Sequence, residues 1–254
     1  MKEKYFEINE SGNNIRCKLY FTDPKAIKRV IVCAHGFSGH KDNKSTEKLA
    51  ERILSKKKDV SLISFNWPCH GDDVKKKLTL IDSIDYLDSV IAYAKKEYKT
   101  DEIYFYGISF GCWVCLKYIN DKGSPFKKIV LRSPAVNMYD SLLTRILKND
   151  EYDLLLRGRD VPVGFDRKTN VNLSFLESVK ENDIFKNSYL DCADDILVIF
   201  GTEDEVIEKG KVIEFCENNV IEYVPVEGAD HRFHNPILLE KAIKATTDFF
   251  GITH

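Results

Sequence analysis

No stretch of the chain stays apolar for the roughly 20 residues a bilayer-spanning helix needs, so a membrane protein is not expected. The opening residues, Met1-Lys2-Glu3-Lys4-Tyr5-Phe6-Glu7, lack the apolar core of a secretory signal. Neither sign of charge is in excess. Lys and Arg number 38 against 40 Asp and Glu, and the formal net charge of −2 offers no broad face to a polyanion. Nucleic acid is therefore not expected as a partner. The runs Lys56-Lys57-Lys58 and Lys75-Lys76-Lys77 are short, lie among acids and read as solvated surface. Cysteine is too sparse and too scattered for a disulfide framework. Seven residues is an odd count in a 254-residue chain, and a reducing cytoplasm is the expected setting. Cys112-Trp113-Val114-Cys115 has C-x-x-C spacing, but no second Cys or His pair completes a metal site, so a buried helix face is expected there. No metal and no cofactor are expected.

At 43% hydrophobic residues, the chain can bury a sizeable core. Two runs near the start, Tyr5 to Ile8 and Ile15 to Phe21, flank a turn-rich spacer and predict a hairpin at a sheet edge. Val30-Ile31-Val32-Cys33-Ala34, Val60 to Phe65, Ile103 to Tyr106, Lys128 to Arg132 and Ile196 to Phe200 are apolar runs of the kind a parallel sheet buries on both faces. Helical periodicity separates several of them, for example Leu80, Ile84, Leu87, Ile91 and Ala94. A last strand, Ile221 to Val226, precedes an amphipathic helix near Pro236 to Phe250. The prediction is an α/β fold with a mostly parallel twisted sheet and helices on both faces. Between about residues 135 and 191 the alternation stops. That stretch follows the C-terminal end of a strand, where open α/β sheets bind ligands. It reads as a cap inserted into one domain spanning residues 1–254.

Chemistry concentrates in the loops at strand ends. Gly107-Ile108-Ser109-Phe110-Gly111 joins an apolar strand to a helix-like stretch. Glycines on both sides let strand and helix pass close together while the turn lifts the serine hydroxyl above the sheet. A serine needs a base, a group that orients the base, and donors for the oxyanion. Gly201-Thr202-Glu203-Asp204-Glu205 follows a later strand, and residue chemistry alone does not choose among its three acids. Gly228-Ala229-Asp230-His231-Arg232-Phe233-His234 follows the last strand. His231 is the better placed of its two histidines, because His234 begins to enter the final helix. The loop His35-Gly36-Phe37 can give one backbone N–H to an oxyanion and Phe110 the other. His35 and His70 read as structural.

Together, His35-Gly36-Phe37, Gly107 to Gly111, Gly201 to Asp204 and Gly228 to His231 resemble the α/β-hydrolase serine esterases over nearly the whole chain. The likeness is nearest to the compact bacterial cinnamoyl and feruloyl esterases, then to the monoacylglycerol lipase-like and serine aminopeptidase-like branches. It implies Ser109 as nucleophile, His231 as base and Asp204 as the acid, with the N–H groups of Phe37 and Phe110 as the oxyanion hole. Phe37-Ser38-Gly39-His40-Lys41 looks like the Gly-Phe-x-Gly-x-Lys loop of those esterases. Two segments depart from the pattern. Asn66-Trp67-Pro68-Cys69-His70-Gly71-Asp72 stands where relatives usually have Asp and Gly before His-Gly, and the cap matches weakly. Trp67, Phe165 and Phe175 are candidate substrate-binding aromatics. The expectation is a soluble carboxylesterase, monomer or homodimer, acting on a small or medium ester, an aromatic acyl group included. The alternatives are a thioesterase, a monoacylglycerol lipase-like enzyme, a small-peptide aminopeptidase using a cap acid such as Glu151, Asp153 or Glu177, or a non-catalytic scaffold.

Overall fold

The computed structural model describes every residue except Ser11, Val74, Lys76, Phe165, Asp166, Thr253 and His254. The chain opens with the hairpin β1 (Lys2–Glu10) and β2 (Asn13–Phe21), paired antiparallel so that Ile8 faces Ile15. Then come β3 (Arg29–Ala34), α1 (Lys44–Leu54), β4 (Val60–Phe65), α2 (Leu80–Tyr98), β5 (Ile103–Ile108), α3 (Phe110–Lys122) and β6 (Ile129–Arg132). The next segment carries only short pieces: α4 (Met138–Ser141), α5 (Asn149–Leu156), the hairpin β7 (Val161–Val163) and β8 (Thr169–Val171), and α6 (Leu173–Glu181). Regular alternation returns with β9 (Ile196–Gly201), α7 (Lys209–Asn219), β10 (Glu222–Val226) and α8 (Pro236–Phe249).

Eight strands form one sheet in the order β1-β2-β4-β3-β5-β6-β9-β10. From β4 to β10 all neighbours are parallel, and β2 joins β4 antiparallel. The expected mostly parallel sheet with helices on both faces is what the chain forms. The apolar strand runs explain it. In β3, Val30 and Val32 enter the core under α2 and α3, while Ile31 and Cys33 enter the core under α1 and α8. A strand buried on both faces cannot alternate apolar with polar. Helix starts are set by side-chain caps that satisfy otherwise orphaned N–H groups. Asn43 accepts from Ser45 and Thr46 ahead of α1, Thr79 from Asp82 ahead of α2, and Asn235 from Ile237 ahead of α8, where Pro236 fits the first turn.

The segment between β6 and β9 packs over the C-terminal edge of the sheet. Ser38 donates its hydroxyl proton to the Val163 carbonyl (3.0 Å), and the Asn172 amide donates to the Leu78 carbonyl (3.0 Å). The Phe175 ring meets Phe110 edge to face at 6.2 Å. Among the described residues no disulfide forms, and Cys112 and Cys115 are buried in α3. Among the described residues no helix is long and apolar enough to cross a membrane.

Candidate active site

Ser109 sits between β5 and α3 with φ 51° and ψ −112°, a conformation L-residues adopt only under constraint. The constraint is visible on both sides. A Cβ at Gly107 would stand 2.7 Å from the Phe105 ring, and one at Gly111 would stand 2.8 Å from the Ala34 carbonyl oxygen. Only glycine lets α3 leave β5 and pass the end of β3 this closely. The turn is fixed by Ser109 N–H donating to Arg132 O (3.0 Å) and by Cys112 N–H donating to Ser109 O (3.0 Å).

His231, from the loop after β10, brings Nε2 to 3.1 Å from Ser109 Oγ. Its Nδ1 lies 2.8 Å from Asp204 Oδ2 and 3.0 Å from Oδ1. A carboxylate only accepts, so Nδ1 carries the proton and Nε2 is free to take one from the serine. Asp204 is held in turn by N–H groups of Val206 (2.9 Å) and Ile207 (2.8 Å), both donating to Oδ1. All three side chains are buried, with 8% of Ser109, 6% of His231 and 2% of the Asp204 side chain exposed.

The three acids left open by the sequence now separate. Asp204 faces the imidazole, Glu205 accepts the His231 backbone N–H (3.2 Å), and Glu203 donates its own N–H to Ala229 O (3.0 Å). His234 pairs with Asp230 at the exposed end of the loop (2.8 Å) and takes no part in the cluster.

The loop that carries Phe37 is locked from beneath. His35 donates Nδ1–H to Gly36 O (2.8 Å) and accepts the Trp67 N–H on Nε2 (3.3 Å). The Trp67 indole N–H donates to His35 O (2.8 Å). Further along, Lys41 N–H donates to Asn66 Oδ1 (2.7 Å), and Lys41 Nζ reaches Asp72 (2.6 Å). Burial pushes the His70 ring down to about 4, and it lies flat against Phe110 at 6.1 Å. Burial, helped by His70, also holds His35 well below the ordinary histidine range. Both rings are neutral and structural. Gly36 lies directly beside Ser109, with room for a Cβ only 3.2 Å from that of the serine. The Phe37 and Phe110 rings meet edge to face at 5.8 Å, which brings the two backbone segments together at the serine.

Of the candidate substrate aromatics, Trp67 and Phe175 are fully buried in packing around Phe110, and Phe165 lies outside the described residues. Trp67 thus serves as a strut for the His35 loop and presents no ring face. The acid Glu151 caps its own helix by accepting from Lys148 N–H, and Asp153 and Glu177 are exposed. A cavity of about 410 Å³ opens one turn along α3 from Ser109, lined by Trp113, Met138, Tyr139, Val179 and Lys180 among others, with none of the three clustered side chains in its wall. Among the described residues no group of three His, Cys, Asp or Glu side chains is arranged to hold a metal ion. The roles of Ser38 and Ser133 carry no mark in the sequence, because a single serine has no spacing to set it apart.

The sequence profile of the alpha/beta hydrolase fold matches residues 29–157, about half the chain, and the chain belongs to that family. No curated protein sequence matches it. Among solved structures, it is similar to Est1E from Butyrivibrio proteoclasticus with ferulic acid bound (17% identity, 97% of this chain and 99% of that one, TM-score 0.77). It is also similar to a monoacylglycerol lipase from Paleococcus ferrophilus (17% identity, 94% and 99%, TM-score 0.66). An α/β serine hydrolase without lid from Xanthomonas campestris is a third (16% identity, 98% and 94%, TM-score 0.65). At these identities the likeness is one of fold.

Proposed function

We propose that the chain is a serine hydrolase that cleaves a small or medium carboxylic ester through an acyl-enzyme on Ser109. One observation carries the reading: hydroxyl, imidazole and carboxylate stand in an unbroken line of hydrogen bonds, Ser109 Oγ to His231 Nε2 at 3.1 Å and His231 Nδ1 to Asp204 at 2.8 Å. As Oγ attacks the ester carbonyl carbon, its proton passes to Nε2. The carbonyl oxygen takes the negative charge and is met by the N–H groups of Phe37 and Phe110, each contributing roughly 3 kcal/mol to the transition state. Collapse of the tetrahedral species breaks the C–O bond, and the leaving alkoxide takes the proton from His231. Water then gives a proton to His231 and adds to the acyl carbon, releasing the acid and restoring the serine hydroxyl.

Ester chemistry is favoured over an aminopeptidase role because Glu151 is engaged at a helix start while Asp153 and Glu177 face solvent. An aminopeptidase needs a fixed carboxylate for the substrate amine. An aromatic acyl group of the cinnamoyl or feruloyl type is the specific substrate we favour, on the likeness to Est1E with ferulic acid bound. Seven cysteines that form no disulfide among the described residues fit a reducing cytoplasm. The test is labelling with a fluorophosphonate followed by peptide mapping, then a panel of aryl, alkyl and thio esters and amino-acid amides. Covalent label on Ser109 with turnover of esters is expected. Absence of label on Ser109 in folded protein would remove the serine mechanism, and faster amide than ester turnover would remove the esterase reading.

A further inference from the structure

Ser133, immediately after β6, is fully buried and has φ 47°, in the left-handed region where glycine would sit without strain. Its hydroxyl donates to the main-chain oxygen of His231 (3.1 Å). The His231 N–H is held on the other side by Glu205, so both backbone groups of this residue are tied. The surroundings make the strand end a junction of three loops. Arg132 O accepts Ser109 N–H (3.0 Å), Ser133 N–H donates to Ile199 O (2.7 Å) on the strand that leads to Asp204, and the Arg132 guanidinium lies 5.1 Å over the ring of Phe233.

We propose that Ser133 is a positioning residue, its hydroxyl fixing the His231 backbone so that the imidazole meets Ser109 and Asp204 together. The proposal rests on the serine-hydrolase reading of the site. A misplacement on the order of 1 Å at a reacting group can cost about 100-fold in rate, so loss of this bond falls on kcat, and substrate binding is left nearly as it was. A merely structural serine would lower stability and leave turnover per folded molecule unchanged.

The test compares Ser133→Ala with Ser133→Gly in the full chain. Both remove the hydroxyl, but glycine also relieves the left-handed backbone, so a folding defect separates the two variants and a positioning defect does not. In each, kcat and KM for a small aryl ester are measured per folded molecule. The low-field proton resonance of the imidazole N–H bonded to Asp204 is recorded alongside. The expected result is a kcat lowered about 10- to 100-fold in both variants, KM within about twofold, and a shifted or broadened resonance. A Ser133→Gly protein with wild-type kcat and an unmoved resonance would overturn the proposal. The resonance reads imidazole position without turnover. Failure of wild-type protein to label at Ser109 would therefore sink the hydrolase reading while Ser133 was still decided by the spectrum.

Discussion

Asp204 divides its two carboxylate oxygens: Oδ2 is the nearer to His231 Nδ1 at 2.8 Å, while Oδ1 accepts from Val206 and Ile207 N–H at 2.9 and 2.8 Å. This division forces the outcome of Asp204→Asn. Two N–H donors hold the Oδ1 position, so the amide oxygen must take it and the amide NH₂ must face the imidazole. An NH₂ there donates to Nδ1, which moves the ring proton to Nε2 and points it at Ser109. The serine then has no acceptor for its proton. Asp204→Asn is expected to lose on the order of 10⁴ in kcat with the fold intact, and to be no more active than Asp204→Ala, which imposes no tautomer. Steady-state kinetics of the two variants check this. An Asn variant faster than the Ala variant would mean that the amide can flip and that the acid does not set the tautomer.

A methyl group at the end of β9 is expected to damage the same pair by force rather than by charge. A Cβ at Gly201 would overlap the main-chain oxygen of Ala229, and neither partner is a flexible side chain. Ala229 is two residues before His231, and Gly201 three before Asp204. Gly201→Ala should therefore push the acid and base loops apart, costing about 1–3 kcal/mol of stability by overpacking and lowering kcat more than KM. Denaturant unfolding and kinetics on one preparation check both halves. Wild-type stability would show that the two loops are free to separate.

What the sequence makes legible is the part set by local pattern. Val30 to Ala34 and Ile196 to Phe200 are apolar without alternation because both faces of those strands are covered, and that reading yields the parallel sheet. The glycines at 107 and 111 announce a close crossing in the sequence itself. Spatial order is another matter. Nothing in the run Val60 to Phe65 says that β4 lies between β2 and β3. The choice among Glu203, Asp204 and Glu205 is likewise beyond residue chemistry, since it depends on which carboxylate the turn aims at His231. Trp67 looks like an aromatic at a pocket mouth when read as a letter beside Pro68. Its indole N–H bond to His35 O, which no spacing reveals, places it in the core. Between residues 135 and 191 the elements are too short to show a period, β7 and β8 having three residues each.

Neutral burial of His70 makes stability fall with acid in a defined window. Its ring titrates at about 4 in the folded chain against an ordinary value of 6.5. Between these values the unfolded chain binds a proton that the folded chain does not, so stability rises with pH across the window. The contribution is complete above pH 6.5 and is lost progressively as pH falls toward 4, roughly 3 kcal/mol from this residue. His35, depressed in the same direction by burial and by His70, adds to the slope. Urea unfolding of wild type and His70→Phe at intervals from pH 7.5 to 4.5 measures it. The phenylalanine variant is expected to lose less stability over that span. Parallel curves would mean that His70 takes up its proton as readily in the folded chain as in the unfolded one.

Asn66 tests whether the base of the Phe37 loop depends on an amide at this position. Its Oδ1 accepts Lys41 N–H at 2.7 Å, and its Nδ2 donates to Asp72, which also receives Lys41 Nζ at 2.6 Å. Asn66→Asp keeps the first bond, deletes the second, and sets two carboxylates against each other over one lysine. Asn66 is fully buried, so the charge added there is not relieved by water. A cost of about 1–3 kcal/mol is expected, together with slower acylation, because Lys41 is four residues from the Phe37 N–H. In the double variant Asn66→Asp, Asp72→Asn the carboxylate and amide have exchanged places, and the interaccarboxylate repulsion is gone. The stability loss in the double variant should then be smaller than the sum of the two single losses, which a denaturant double-mutant cycle reads directly. Additive losses would mean that residues 66 and 72 do not sense each other.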